Sequence, residues 1–309
     1  MKRIQHDRFG GPETMYLADV VTPPVGRRRV RVSVKASSIN EIDWKLRQGY
    51  MKILTGHRFP RGMGIDFSGV VDAVGPDSPF EEGDDVFGGM SLRAPGSFAE
   101  QLVTDIGLIA RKPDNVSHEV AATLPVVAGT AWQALTKYGN MKPGDRVFVN
   151  GGYGSLGQSA VHIARALGAG RVVARVSPDH FAAVTNIGAN KAISYAEPIP
   201  ADMQNGFDLV LDAHGSLDVR NQSFLMARGG VVLDVNPDPG KRLRALLPHR
   251  KSVLGTLKSA VLDELAKLAA AGQLEIAIGQ SVPLSHAITA ITELEQGRRV
   301  TGKTVIVVP

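Results

Sequence analysis

The stretch Val147-Phe-Val-Asn150-Gly-Gly152-Tyr-Gly154-Ser-Leu-Gly157 runs from a short apolar segment into three glycines spaced G-x-G-x-x-G. A helical pattern follows at once, Gln158-Ser-Ala-Val-His-Ile-Ala-Arg-Ala-Leu167, ended by Gly168. A chain with 34 glycines produces such spacings by chance, so the pattern alone says little. Its place between a strand and a helix gives it meaning. One glycine permits the tight turn, one lets the backbone approach a pyrophosphate, and one lets helix and strand pack closely. The start of the helix then offers unpaired N–H groups and the positive end of its dipole to an anion. The alternative is a mere strand-to-helix turn. Further strand patterns lie at Arg171-Val-Val-Ala-Arg-Val176, Asp208-Leu-Val-Leu-Asp212 and Gly230-Val-Val-Leu-Asp234. Strand and helix in alternation predict a parallel sheet with right-handed crossovers, an α/β fold.

The end of the second strand distinguishes two dinucleotides. A carboxylate there accepts hydrogen bonds from the ribose diol of NAD, whereas a 2′-phosphate avoids it and favours Arg. Here the strand closes Val173-Ala-Arg175-Val-Ser177, with no carboxylate before Asp179. Arg175 and Ser177 are therefore expected to hold a 2′-phosphate, and NADP(H) is the expected cofactor. An Arg in this place also reads as a solvated side chain at a sheet edge.

Working outward, the first third is β-rich. Arg29-Val-Arg-Val-Ser-Val-Lys35 alternates polar and apolar residues with the period of a half-buried strand. Gly69-Val-Val-Asp-Ala-Val74 and Val86-Phe87 are further short strands. Glycines and prolines between them predict a small barrel or sandwich. From Ser117 the pattern turns helical, with Ser117 as an N-cap and Gly139 as a later stop. Helices are also expected around Ser259–Ala271 and Ser285–Glu295. The last strand, Thr301-Gly-Lys-Thr-Val-Ile-Val-Val308, has no helix after it and is free to return to the first domain.

Composition narrows the function. The 309 residues suit two compact domains or one large α/β domain, and 43% hydrophobic with 21% charged is a globular composition. No apolar run approaches the ~20 residues that span a bilayer, and the first residues lack the apolar stretch of a secretory signal. A cytoplasmic protein away from membranes is expected. With no Cys, disulfides, iron–sulfur clusters, thiolate nucleophiles and Cys-ligated zinc are excluded. The net charge of +5 is spread out. Its densest runs are Arg27–Arg28–Arg29 with Arg31, then Lys241, Arg242 and Arg244, then Arg250–Lys251, and none is interleaved with aromatics. No nucleic-acid partner is expected.

The chain resembles the medium-chain dehydrogenase/reductase superfamily, in its zinc-free quinone oxidoreductase and enoyl reductase branch. The blocks that carry the resemblance are Ala36-Ser-Ser-Ile-Asn40-Glu-Ile-Asp43-Trp-Lys, Gly64-Ile-Asp66-Phe-Ser-Gly69-Val-Val and Gly83-Asp-Asp-Val-Phe-Gly88. They continue with Gly96-Ser-Phe-Ala-Glu100, Leu124-Pro-Val-Val-Ala-Gly129-Thr-Ala-Trp-Gln-Ala-Leu and Lys142-Pro-Gly-Asp-Arg-Val. The resemblance spans nearly the whole chain. It implies an α/β protein with a GroES-like β-rich catalytic domain, residues 1–117 completed by 255–309. Into it is inserted a Rossmann domain, a doubly wound parallel sheet, over 118–254 that binds NADP(H).

Metal content follows residue by residue. Zinc-dependent relatives carry Cys where this chain has Asn40 and His where it has Ile65, so no catalytic zinc is expected. His57, His118 and His162 show no ligand spacing. Without a Lewis acid to ionise an alcohol, hydride delivery from a dihydronicotinamide to an acceptor that needs little activation remains. The acceptor is expected to be a quinone or the C=C bond of an α,β-unsaturated carbonyl. For the latter, a hydrogen-bond donor must stabilise the developing enolate oxygen.

The resemblance places Asn40 near the nicotinamide and Tyr50 in the substrate site, and these two are the expected catalytic residues. The plainer readings are an Asn capping a helix and a Tyr packing on a loop. Cofactor contacts implied in the same way are Thr130, Asn150, Gly152, Tyr153, Gly154, Ser155, Leu156, Gly157 and Tyr195. The chain departs from the family at Asp179, where NADP-dependent members often carry Lys or Arg, and is shortened after Asn236-Pro-Asp-Pro-Gly240. A homodimer is implied as well. Other readings are an enoyl reductase dedicated to one biosynthetic pathway and a non-catalytic NADPH-binding protein.

Overall fold

The computed structural model describes residues 1–235 and 249–309. The basic run at Lys241, Arg242 and Arg244 and the stretch from Asn236 to Gly240 lie outside the described residues. The chain divides into two units. One comprises Met1–Val126, Leu257–Ala270 and Ile276–Pro309; the other comprises Val127–Thr256 and Ala271–Glu275.

The first unit begins with eight strands. They are β1 (Lys2–His6), β2 (Met15–Asp19), β3 (Arg29–Ser38), β4 (Arg61–Gly62), β5 (Asp66–Val74), β6 (Asp85–Gly89), β7 (Gln101–Asp105) and β8 (Ile109–Arg111). The period-two stretch at Arg29 is β3, with Val30, Val32 and Val34 all buried. They pack with Phe67, Phe98, Ile109 and Ile306 into the core of this unit. Burying a Val, Ile or Phe side chain contributes roughly 1.5–3 kcal/mol, which makes this alternation the organising force. Two short helices, α1 (Glu41–Arg47) and α2 (Lys52–Thr55), follow β3. α3 (His118–Ala122) starts as expected at Ser117, whose Oγ accepts from Val120 N at 3.2 Å. This helix packs on β3 and β5, so the first unit extends past the 117/118 division read from the sequence, to Val126.

The second unit carries β9 (Arg146–Asn150), β10 (Arg171–Val176), β11 (Lys191–Ser194), β12 (Phe207–Asp212), β13 (Met226–Asp234) and β14 (Arg250–Ser252). They form one sheet in the order β11-β10-β9-β12-β13-β14, and every pair is parallel. This is a doubly wound sheet, and its order reverses between β9 and β12. Both faces are covered, so β9, β10 and β12 read as near-continuous apolar runs. α4 (Pro125–Gln133) leads into this unit and passes into a π turn, Ala134–Tyr138, before Gly139. α5 (Ser155–Ala166) follows β9 directly.

The chain closes with β15 (Ile278–Pro283) and β16 (Lys303–Val307) in the first unit. β16 pairs antiparallel with β3, Val305 opposite Ser38 and Val307 opposite Ala36. The seven-stranded sheet therefore runs β15-β16-β3-β5-β6-β8, with β7 also on β3. The last strand is thus fixed beside the segment that leads to Asn40. No helix among the described residues is long and apolar enough to cross a membrane.

Candidate functional site

In the second unit, polar residues gather where the strand order reverses. Asn150 ends β9 and Asp212 ends β12 opposite it in register. Asn150 Nδ2 donates to Asp212 Oδ1 at 2.8 Å and to Ser216 Oγ at 3.2 Å, while its buried Oδ1 has no hydrogen-bond partner. Asp212 also accepts from the N–H groups of Gly215 and Leu217, so it holds the loop after β12.

The four glycines of the turn do different things. Gly151, not Gly152, takes the left-handed φ, +89°, that makes the turn. A Cβ on Gly152 would sit 2.7 Å from Ala174 Cβ on the neighbouring strand. A Cβ on Gly157 would overlap the carbonyl of Gly151, with Gly151 C at 2.7 Å. Gly154 differs: among the described residues, its chain neighbours and its own helix backbone aside, the nearest heavy atom to a Cβ there would be Gly151 O, at an ordinary contact distance of 3.6 Å. Gly154 also caps α5, which opens without a side-chain cap, so its first N–H groups face outward from the helix.

Arg175 lies beside this turn, its carbonyl accepting from Gly151 N at 3.0 Å and Gly152 N at 3.3 Å. Its guanidinium donates to the carbonyls of Ser194, Tyr195 and Glu197 and stands 5.6 Å over the Tyr195 ring. The sequence expectation of a side chain free for a phosphate is thus qualified, since much of this fork anchors the loop after β11. Burial pushes the Tyr195 hydroxyl up to about 12, with the nearby Arg175 charge opposing the rise. Ser177 begins the 3-10 turn Pro178–His180, and the His180 ring stacks on Tyr153 of the glycine turn at 4.1 Å. His214 meets Tyr195 at 5.8 Å. Thr130 lies on α4 of the same unit. The structure therefore joins Asn150, Gly152–Gly157, Arg175 and Tyr195 around one sheet edge and adds His180, His214 and Asp212. Only backbone neighbourhood, with no motif, could have pointed to those three.

The first unit holds Asn40 and Tyr50 at opposite ends of α1, a helix about 10 Å long. Tyr50 is half-buried on the turn after α1, its N–H bonded to Lys45 O at 2.8 Å. Asn40 is buried at the N-cap, and Asp43 Oδ2 accepts from its backbone N–H at 2.7 Å. Its side chain is engaged too. Nδ2 donates to Asp66 Oδ2 at 2.9 Å, and Oδ1 accepts from Lys303 Nζ at 2.6 Å. Asp66 Oδ1 meanwhile accepts from Val126 N, holding that backbone. Burial pushes the Asp43 carboxyl up to about 8 and that of Asp66 to about 6, and it lowers Lys303. In the sequence Lys303 was legible only as one residue of the last strand pattern, Thr301 to Val308.

Residues 26–114 match the alcohol dehydrogenase GroES-like domain family, and residues 187–306 match the zinc-binding dehydrogenase family. The 2-methylene-furan-3-one reductase of Solanum lycopersicum is 30% identical over 317 residues, 99% of this chain and 79% of that protein. The solved quinone oxidoreductase from Coxiella burnetii superposes with a TM-score of 0.86 at 31% identity, covering 100% of this chain and 99% of that one. The chain belongs to the medium-chain dehydrogenase/reductase superfamily. Within this superfamily it falls in the quinone oxidoreductase-like branch. Its first unit is the GroES-like part and its parallel sheet the Rossmann part. The chloroplastic quinone-oxidoreductase homolog of Spinacia oleracea is 28% identical over 326 residues, 99% of this chain and 98% of that protein. The phthioceranic/hydroxyphthioceranic acid synthase of Mycobacterium tuberculosis is 31% identical over 328 residues. That match takes in 99% of this chain, which spans only 15% of the synthase.

Proposed function

We propose that this chain is a zinc-independent, NADPH-dependent reductase of quinones or of the C=C bond of α,β-unsaturated carbonyls. The division among the glycines carries the cofactor part. Protein packing requires glycine at 152 and 157, while at 154 it leaves the space open, as an approaching pyrophosphate demands. The residues that would hold the dinucleotide are Thr130, Asn150, Gly152 to Gly157, Arg175, Ser177 and Tyr195. The orphaned Oδ1 of Asn150 accepts a donor from it. Arg175 supplies positive charge toward a 2′-phosphate, and no carboxylate on β10 opposes it.

When bound, the dihydronicotinamide supplies hydride. Asn40 and Tyr50 act on the acceptor: each presents a donor to an oxygen that gains negative charge as reduction proceeds. The acceptor class rests on the names of the tomato and spinach relatives. A catalytic zinc does not fit. Asn40 Oδ1 already binds an ammonium, Ile65 is buried and apolar, and the chain has no Cys.

Tyr50→Phe tests the acceptor assignment. Turnover on an enone is expected to fall about 10-fold and on a quinone less, because the enolate oxygen needs more stabilisation. Equal or absent effects remove Tyr50 from the site. Treatment with a strong chelator is expected to leave activity unchanged; its loss overturns the zinc-independent reading.

A further inference from the structure

Four polar side chains from three stretches of sequence meet inside the first unit: Asn40 before α1, Asp43 on it, Asp66 at the head of β5 and Lys303 at the head of β16. None is more than 6% exposed. Burying an ammonium is expensive unless it is well paired. The direct partners of Lys303 are nonetheless two neutral oxygens, Ile39 O at 2.8 Å and Asn40 Oδ1 at 2.6 Å. Its charge also faces the buried carboxylates of Asp66 and Asp43, which favour the ammonium against the cost of burial.

The two ends of a carboxamide are alike in shape and differ only in what they bond. Here the surroundings separate them, with a cation on Oδ1 and a carboxylate on Nδ2. We infer that Lys303 is a positioning residue that fixes the Asn40 amide as a hydrogen-bond donor toward the oxygen of a bound quinone or enone. The inference rests on the placement of Asn40 in the reductase site. With the ammonium on Oδ1, a second donor there would meet a positive neighbour, so it is the N–H end of the amide that is offered to a ligand oxygen. One Nδ2 hydrogen goes to Asp66, and the other reaches only Ser38 O, at a long 3.4 Å. That hydrogen is the one a ligand oxygen can take. A cation on the carbonyl end polarises the N–H, so the contact strengthens as the ligand oxygen gains charge.

The test is a double-mutant cycle on NADPH-dependent quinone and enone reduction, with thermal unfolding followed alongside. Lys303→Met and Asn40→Ala are each expected to lower kcat by about 10-fold or more with little change in acceptor KM. The double variant is expected to be no worse than the poorer single one. Lys303→Arg, which keeps a cation, is expected to recover at least about 3-fold over Lys303→Met. Effects that multiply in the double variant overturn the inference, as does a folded Lys303→Met protein with full kcat. If Lys303→Met does not fold, Lys303→Gln takes its place with the same expectations.

Absence of turnover in the unmodified protein counts against the reductase reading, and the inference is then decided without activity. The side-chain amide protons of Asn40 are assigned by their loss in Asn40→Ala. They are expected to shift and exchange faster in Lys303→Met but not in Lys303→Arg. Unmoved resonances overturn it.

Discussion

The glycine turn of the second unit and the buried cluster around Asn40 in the first organise polar groups in opposite ways. The turn spans eight consecutive residues, 150–157, and works through missing side chains and bare backbone N–H groups. The cluster draws residues 38 to 303 together and works through charges placed on an amide. The difference teaches where each is vulnerable. A backbone site fails when atoms are added, and a side-chain site fails when a proton or a charge is moved.

Adding one carbon should give the largest effect. Gly157→Ala drives a Cβ into the Gly151 carbonyl, and is expected to cost roughly 3 kcal/mol or more of stability, lowering Tm and abolishing dinucleotide binding. Gly154→Ala is expected to keep Tm within a few degrees, yet weaken NADPH binding about 10-fold in a titration. Equal loss of stability in both would erase the distinction between packing glycine and ligand-facing glycine.

The cluster should answer to protons instead. Asp66 ionises near 3.8 when unfolded and at about 6 when folded. Between these values the folded state keeps a proton that the unfolded state has released. Stability from this group is therefore greatest below about pH 4 and declines as pH rises to about 6, by up to roughly 3 kcal/mol. Denaturant unfolding across this range should show the slope; Asp43, pushed up to about 8, adds a decline of the same sign that continues above pH 6, so Asp66→Asn should lessen the slope between pH 4 and 6 without removing it. A slope unchanged in the variant would place the proton elsewhere.

Arg175 joins features of both regions, a charge set against the glycine turn. Arg175→Ala is expected to raise KM for NADPH about 10-fold and KM for NADH less. Equal effects would leave it only its bonds to the carbonyls of Ser194, Tyr195 and Glu197.

What the sequence made legible follows the same division. The period-two valines of β3, the N-cap at Ser117 and the G-x-G-x-x-G turn are local patterns, and each stands in the fold where its physics requires. In the sequence the tight turn falls to one of the motif's three glycines, with nothing to say which, and the residue with the positive φ is Gly151, just before them. The partners of Asn40 were out of reach for another reason. Lys303 looks like any strand-opening residue until β16 pairs with β3 and brings its ammonium to the head of α1. The His180 ring on Tyr153 is likewise a product of tertiary approach.

The central claim is most directly tested by the loss of NADPH absorbance on adding a simple 1,4-quinone or a 2-alkenal, with NADH run in parallel. Oxidation of NADPH in clear preference to NADH is the expected result, and the faster acceptor names the substrate class. NADPH that binds yet is not oxidised by either acceptor would contradict it.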